Sequence, residues 1–147
     1  MIYLGADHRG FNLKEKIKQW LTEWGHEYHD VGALEYDKND DYPVYASKVV
    51  ESMTEIDDRG IILCGSGVGV DEVANKFDGI RSGLAMSKEQ IEAARNDDNI
   101  NVLAIASDYT SEEDAKDIIR AFLNTEFASA ERFNRRLGEI EKIEETN

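Results

Sequence analysis

The sequence contains almost no cysteine or proline and no long apolar segment. Cys64 is the single cysteine and Pro43 the single proline among 147 residues. A lone cysteine cannot form a disulfide within the chain, which excludes a disulfide-stabilised secreted fold. No apolar run approaches the roughly 20 residues that span a bilayer, and the first residues follow a strand pattern instead of a secretion signal. We therefore expect a cytoplasmic, soluble protein.

Positive charge is also scarce. The chain has 17 lysine and arginine residues against 31 aspartate and glutamate residues, a formal net charge of -14. Such a surface repels nucleic-acid phosphates and anionic lipids, so neither nucleic acid nor a membrane is expected as a partner. Any anionic ligand must meet a local group of cations. With 41% hydrophobic residues and no repeat or linker, residues 1–147 are expected to form a single domain.

Apolar residues follow strand and helix periods in alternation. Five short segments predict strands, at residues 1–6, 26–31, 59–64, 80–85 and 102–106. Helical periods follow them, at residues 11–24, from 43 to 53, at 70–77, 87–95 and 111–122, and from about 130 onward. This order predicts a Rossmann-like α/β three-layer sandwich, with a five-stranded parallel sheet and helices on both faces.

The third predicted strand delivers Cys64 into a glycine-rich turn. Residues 64–69 read Cys-Gly-Ser-Gly-Val-Gly and precede a helix. Glycines let the backbone and its N–H groups approach an anion, and the positive end of a helix favours a thiolate. The pattern is not the dinucleotide fingerprint, which follows the first strand and needs an acidic residue after the next one. We therefore predict a site for a small anionic molecule.

Two further loops should lie beside this turn. Asp7, His8 and Arg9 follow the first predicted strand, and Ser107 and Asp108 follow the fifth. Because ligands of open parallel sheets bind at the carboxyl ends of the strands, these loops are expected to meet there.

Several distinct motifs, each present once, are distributed along essentially the whole chain. They are Gly5-Ala6-Asp7-His8-Arg9-Gly10-Phe11, Asp41-Tyr42-Pro43, the turn at 64–69, Ala74-Asn75-Lys76, Gly79-Ile80-Arg81, Asn101-Val102-Leu103 and residues 132–136. Together they resemble the ribose-5-phosphate isomerase B family, which includes the galactose-6-phosphate isomerase subunits. The resemblance implies an aldose-ketose isomerase that acts through a cis-enediolate without metal or cofactor. Ribose 5-phosphate is the favoured substrate, with a hexose 6-phosphate as the alternative.

The resemblance also implies residue roles. Cys64 would be the base, Ser66 would place its hydroxyl on the reacting oxygens, and Asp7 would transfer hydroxyl protons. The substrate-binding residues would be Asp7, His8, Tyr42, Gly65, Ser66, Gly67, Val68, Gly69, Arg132 and Arg136. The two arginines, on the last helix, would reach the site of a partner subunit in a homodimer or dimer of dimers with shared active sites.

The residues themselves leave simpler roles open. Cys64 and Tyr42 also fit packing positions, Ser66 fits a turn, and Asp7 fits an N-cap of the following helix. Arg132 and Arg136 share one helical face, where they fit a clamp for a dianion or pairing with neighbouring glutamates.

Four positions depart from the family pattern. The family carries a histidine and an asparagine shortly before the fifth strand, and that histidine opens the sugar ring; an ungapped match places Asp97 and Asp98 there. A phosphate-binding arginine after the fifth strand falls on Asp108, and a histidine near the clamp falls on Phe133. Close to a phosphate, each carboxylate replaces attraction with repulsion of about 1–4 kcal/mol.

Three interpretations fit these departures. In the first, Asp97 takes over ring opening as a catalytic carboxylate, and the substrate is a different sugar phosphate or a less charged sugar with more hydroxyls. Asp98 and Asp108 then bind substrate as acceptors of sugar hydroxyls. Alternatively, the chain is the cysteine half of a hetero-oligomer whose other chain carries the histidine. In the third interpretation, it binds sugar phosphates without turnover.

Overall fold

The computed structural model describes residues 1–147. Its strands are β1 (Ile2–Ala6), β2 (Tyr28–Asp30), β3 (Arg59–Cys64), β4 (Ser82–Leu84) and β5 (Val102–Ala106). Its helices are α1 (Phe11–Glu23), α2 (Tyr42–Ser52), α3 (Val68–Ala74), α4 (Lys88–Asp98), α5 (Glu112–Asn124) and α6 (Glu131–Thr146). All strand pairs are parallel, in the order β2-β1-β3-β5-β4. The predicted α/β fold is confirmed.

The central strand β3 is buried on both faces because helices cover each side of the sheet. Its Ile61 and Leu63 belong to the larger apolar core, to which α1, α4 and α5 contribute. Its Ile62 and Cys64 belong to the second core, with residues of α2 and α3. This alternation follows from the two-residue period of a strand and explains the continuous apolar run in the sequence.

A buried cation links α1 to the edge of the sheet. Lys14 is fully buried, and its ammonium group forms an ion pair with Asp30 at the end of β2. Lys18 also contacts Asp30, at 2.9 Å. Burial alone would raise the pKa of Asp30, but the two lysines and the N–H of Gly32 outweigh it and lower that pKa.

Several helix boundaries differ from the sequence prediction, and α3 ends at Ala74 instead of residue 77. Helix α3 begins at Val68 and not at residue 70, because Gly67 adopts a φ of 74° and turns the chain directly into the helix. Helix α4 continues past residue 95 to Asp98, where Asn99 ends it in the left-handed conformation. The polar residues 96–98, which resembled a loop in the sequence, are therefore helical. The second and fourth strands are also shorter than predicted.

The last helix is only loosely attached to the rest of the chain. Phe133 is its one buried residue and lies beside Phe127, while Ile140 and Ile143 are exposed. Near its end, Glu144 accepts a hydrogen bond of 3.0 Å from the N–H of Gly79. None of the helices combines the length and apolarity needed to cross a membrane.

Candidate active site

The loops that follow β1, β3 and β5 meet at the carboxyl edge of the sheet. Backbone hydrogen bonds join them beyond the strand ends: Asp7 N–H donates to the carbonyl of Leu63 at 3.3 Å, Ser107 N–H to Cys64 at 2.9 Å and Asp108 N–H to Gly65 at 3.0 Å. These three loops are neighbours because β3 lies between β1 and β5. The convergence expected from the sequence is present.

Cys64 lies at the base of this edge, with only 4% of its surface exposed. The N–H of Gly67 donates to its Sγ at 3.2 Å. A donor directed at sulfur stabilises negative charge on it, as a thiolate base requires. Ser66 is exposed at the top of the turn, where its Oγ accepts a hydrogen bond of 3.4 Å from the N–H of Val68.

Gly67 and Gly69 of the turn each lie close to another part of the chain. A Cβ at Gly67 would lie 2.9 Å from the amide nitrogen of Ala106, in addition to the strain of its positive φ. A Cβ at Gly69 would lie 2.7 Å from the ring of Tyr42. Tyr42 therefore packs directly on the turn and forms one wall of the edge, and only glycine allows this contact.

Asp7 is buried and closes the turn between β1 and α1. Its Oδ1 accepts hydrogen bonds from the N–H groups of Arg9, at 2.9 Å, and Gly10, at 3.1 Å. The N-cap of α1 is Gly10, so Asp7 holds the preceding turn and is not the N-cap itself. This bonding uses one carboxylate oxygen and leaves the other for a ligand.

His8 is held by a residue that the sequence did not single out. Its Nδ1 lies 2.7 Å from Oδ1 of Asp40, which also accepts the backbone N–H of His8 at 2.9 Å. The other oxygen of Asp40 is buried without a hydrogen-bond partner. Burial and the negative charge of Asp40 raise the pKa of the neighbouring Tyr45. Asp40 lies in an acidic, aperiodic loop, which gave no signal of this contact.

Asp7, His8 and Asp40 are also the group best placed to hold a cation. One ligand atom from each lies within 4.8 Å of the others. The internal hydrogen bonds already explain this closeness, since Asp40 fixes His8 and Asp7 fixes the adjoining turn. The same three residues thus form a preorganised polar cluster at the end of β1, the strand next to the one that carries Cys64.

Arg9 and Asp108 form an ion pair across the site. Arg9 Nη2 contacts Oδ2 of Asp108, bridging the loops after β1 and β5. The pair crosses directly over Gly65, where a Cβ would lie 2.6 Å from the Arg9 guanidinium carbon. Asp108 is therefore paired with a cation, a feature that neither residue's sequence neighbourhood indicated.

The remaining predicted residues lie at the other end of the sheet. Asp97 and Asp98 end α4, just before β5 begins, whereas Cys64 pairs with Ala106 at the end of β5. The four residue steps from Val102 to Ala106 span about 13 Å. Asp97 accepts a hydrogen bond of 2.7 Å from Asn96, and Asp98 is exposed. A single chain does not bring these carboxylates to Cys64.

The arginines predicted to bind phosphate are also at this amino edge. Arg132 and Arg136 are exposed on α6, with the Arg132 guanidinium 4.3 Å from the Phe133 ring. The nearby face of α6 borders a cavity of about 850 Å³, which Arg59, Arg81 and Arg95 also line.

Arg95 is buried within this cavity wall. The pKa of Arg95 is lowered to about 10. Burial is the main cause, and the positive charges of Arg59 and Arg81 add to it. Arg95 donates to the carbonyls of Thr125, at 3.1 Å, and Ile100, at 2.6 Å. These bonds give Arg95 a structural role at the base of α4.

Known proteins resemble this chain over nearly its full length. The family described as Ribose/Galactose Isomerase matches residues 2–140. Ribose-5-phosphate isomerase B of Mycobacterium tuberculosis is 37% identical over 147 residues, which cover 99% of this chain and 91% of that protein. The probable ribose-5-phosphate isomerase B of Mycoplasma genitalium is 34% identical over 145 residues, 97% of this chain and 95% of that protein.

Solved structures extend the similarity to the fold. Ribose-5-phosphate isomerase B of Clostridium thermocellum has a TM-score of 0.93 at 34% identity, covering 99% of this chain and 97% of that one. The Mycoplasma genitalium enzyme with bound ribulose 5-phosphate has a TM-score of 0.89 at 34% identity, with the same coverage of 99% and 97%. The resemblance read from the sequence motifs is thus confirmed, and the chain belongs to the ribose/galactose isomerase family.

Proposed function

We propose that the chain is an aldose-ketose isomerase that converts ribose 5-phosphate to ribulose 5-phosphate. The observation that carries this proposal is the arrangement of Cys64, Ser66 and Asp7 at one edge of the sheet in a member of this family. Relatives over 30% identical bear the name ribose-5-phosphate isomerase B, and one of the similar structures holds ribulose 5-phosphate.

The chemistry requires a proton to move between adjacent carbons. The Cys64 thiolate removes the proton from C2 of the open-chain aldose and returns it to C1, with a cis-enediolate between the two steps. The amide groups of the 65–69 turn and the hydroxyl of Ser66 hold the developing oxyanion. Asp7 transfers the hydroxyl proton between the two oxygens through the carboxylate oxygen that the turn does not use.

The phosphate lies toward His8 in this proposal. Because Asp40 faces Nδ1, the Nε2 side of the His8 ring is available to a ligand. Tyr42 borders the sugar from the opposite wall, where its ring packs on Gly69.

A second copy of the chain completes the site. Four predicted site residues belong to α4 and α6 and not to the loops around Cys64: Asp97, Asp98, Arg132 and Arg136. In a homodimer, they act on the Cys64 site of the partner. The weakly packed α6, with Ile140 and Ile143 exposed, supports its crossing to a partner. Asp97 then acts as the ring-opening base, and the arginines clamp the phosphate.

The direct test is an assay of the purified chain alone with ribose 5-phosphate, allose 6-phosphate and galactose 6-phosphate, with ketose formation followed by NMR. We expect turnover, with the highest kcat/KM for ribose 5-phosphate. A preference for a hexose phosphate would replace the proposed substrate. Tight binding without turnover would instead make the chain a binding protein or one half of a hetero-oligomer.

A further inference from the structure

The ion pair of Arg9 and Asp108 lies at the carboxyl edge of the sheet, beside the Cys64 turn. The two residues follow β1 and β5, the strands on either side of β3, and they meet above Gly65 at the start of the Cys64 turn. Arg9 also follows His8 directly in the sequence. A guanidinium at this point is within reach of a ligand held by His8 and the turn.

The pairing leaves much of the guanidinium unused. Arginine carries five N–H donors, and the contact with Asp108 engages only the Nη2 nitrogen. The Arg9 side chain is 57% exposed, so it remains accessible to a ligand. Asp108 therefore fixes the direction of the guanidinium without saturating it, as a carboxylate that orients a ligand-binding arginine does.

The surroundings of Arg9 also suit a polar group. It lines a cavity of about 340 Å³ together with Ser107 and Lys16. Ser107 Oγ is buried and has no hydrogen-bond partner, so a donor beside Arg9 is unused. Lys16 forms an ion pair with Glu112, which leaves Arg9 as the cation nearest the turn.

We propose that Arg9, oriented by Asp108, binds the phosphate of the substrate and sets the preference for a phosphorylated sugar. This inference rests on the proposed function and concerns the same site. It reverses the sequence expectation for Asp108, whose negative charge is matched by Arg9 instead of opposing the phosphate. The strongly acidic chain thereby obtains, from the same copy as Cys64, a cation for the phosphate in addition to the arginines of the partner copy.

The test compares Arg9→Ala, Arg9→Lys and the double variant Arg9→Ala/Asp108→Arg with the unmodified chain. Because both side chains meet above Gly65, the double variant moves the guanidinium to the opposite loop while keeping it over the turn. Arg9→Ala should raise KM for ribose 5-phosphate about 10- to 100-fold, with kcat within about threefold. The double variant should recover most of this loss, and Arg9→Lys only part of it.

Arg120→Ala is the matched control, since Arg120 is an exposed arginine that stacks on Trp24 away from this edge. Its KM should be unchanged. Calorimetric titration with inorganic phosphate provides a readout that does not need turnover, and Arg9→Ala should weaken this binding in parallel with KM. If the unmodified chain shows no isomerase activity, the proposed function fails, while this titration still tests Arg9. An unchanged or lower KM and phosphate affinity unaffected by Arg9→Ala would overturn the inference.

Discussion

His8 and Asp40 are joined by two hydrogen bonds that converge on one carboxylate oxygen, from Nδ1 at 2.7 Å and from the backbone N–H at 2.9 Å. This double contact fixes both the ring and the start of the loop that carries it. Asp40 comes from the segment before α2, so that segment helps to position His8.

Replacing Asp40 by alanine should weaken substrate binding more than turnover. Loss of the acceptor frees the His8 ring, and we expect KM for ribose 5-phosphate to rise about 10-fold with kcat changed less. Asp40→Asn keeps one acceptor oxygen and should retain an intermediate KM. Asp37→Ala in the same loop is the control, because the Asp37 side chain accepts a hydrogen bond only from the exposed N–H of Asn39. Equal KM values for the Asp40 and Asp37 variants would contradict this role.

Alanine substitutions at Gly67 and Gly79 distinguish the cost of backbone strain from the cost of a steric clash. Both have positive φ, 74° and 76°, but only at Gly67 would an added Cβ meet other atoms within 4 Å, including the amide nitrogen of Ala106 at 2.9 Å. Gly79→Ala should lower the free energy of unfolding by about 1 kcal/mol through strain alone. Gly67→Ala should cost about 3 kcal/mol or more and abolish turnover, because the turn must move. Urea unfolding measures both, and equal losses would refute the steric argument.

Local patterns explain why the sequence predicted the Cys64 turn well. A buried strand, a run of glycines and a following helix are each visible within a few residues. The contact of Arg9 with Asp108 depends instead on strand order, which places β1 and β5 on either side of β3. Asp40 was missed because its loop has no period that would orient it. The start of α3 and the end of α4 were missed because each is set by the left-handed backbone conformation of a single residue, Gly67 and Asn99 respectively.

Breaking the ion pair of Lys14 and Asp30 by removing one partner should strongly destabilise the fold. Asp30→Asn leaves the fully buried Lys14 with only Glu15, 38% exposed and 3.0 Å away, as a carboxylate partner, and we expect a loss of about 3 kcal/mol in the free energy of unfolding. Lys14→Met combined with Asp30→Asn removes both charges and should recover much of this loss. A double variant no more stable than Asp30→Asn would show that the buried charge is not the cause.

The same pair predicts an acid limit for the fold. The pKa of Asp30 is lowered in the folded chain, so its contribution to stability is complete above the ordinary aspartate pKa and is lost as the pH falls through the lowered value. Urea unfolding below about pH 4 should therefore show a steeper decline for the unmodified chain than for Asp30→Asn. Parallel pH profiles would contradict this assignment.

Sharing of the active site between two copies can be tested by mixing inactive variants. One copy carries Cys64→Ala and the other carries Arg132→Ala/Arg136→Ala, and the two are unfolded and refolded together. A mixed dimer then contains one site with every residue intact, and random pairing should restore about a quarter of the activity of the unmodified chain. Each variant refolded alone is the control. No recovery, with mixed dimers demonstrated by mass spectrometry, would place all site residues within one copy.

The most direct measurement is kcat/KM for ribose 5-phosphate in the unmodified chain and in Cys64→Ala, with urea unfolding to show that both are folded. Removal of the base that transfers the proton should reduce kcat/KM by about 10²- to 10⁴-fold while ribose 5-phosphate still binds. Turnover by Cys64→Ala at the rate of the unmodified chain would contradict the assignment of Cys64 as the base of an aldose-ketose isomerase.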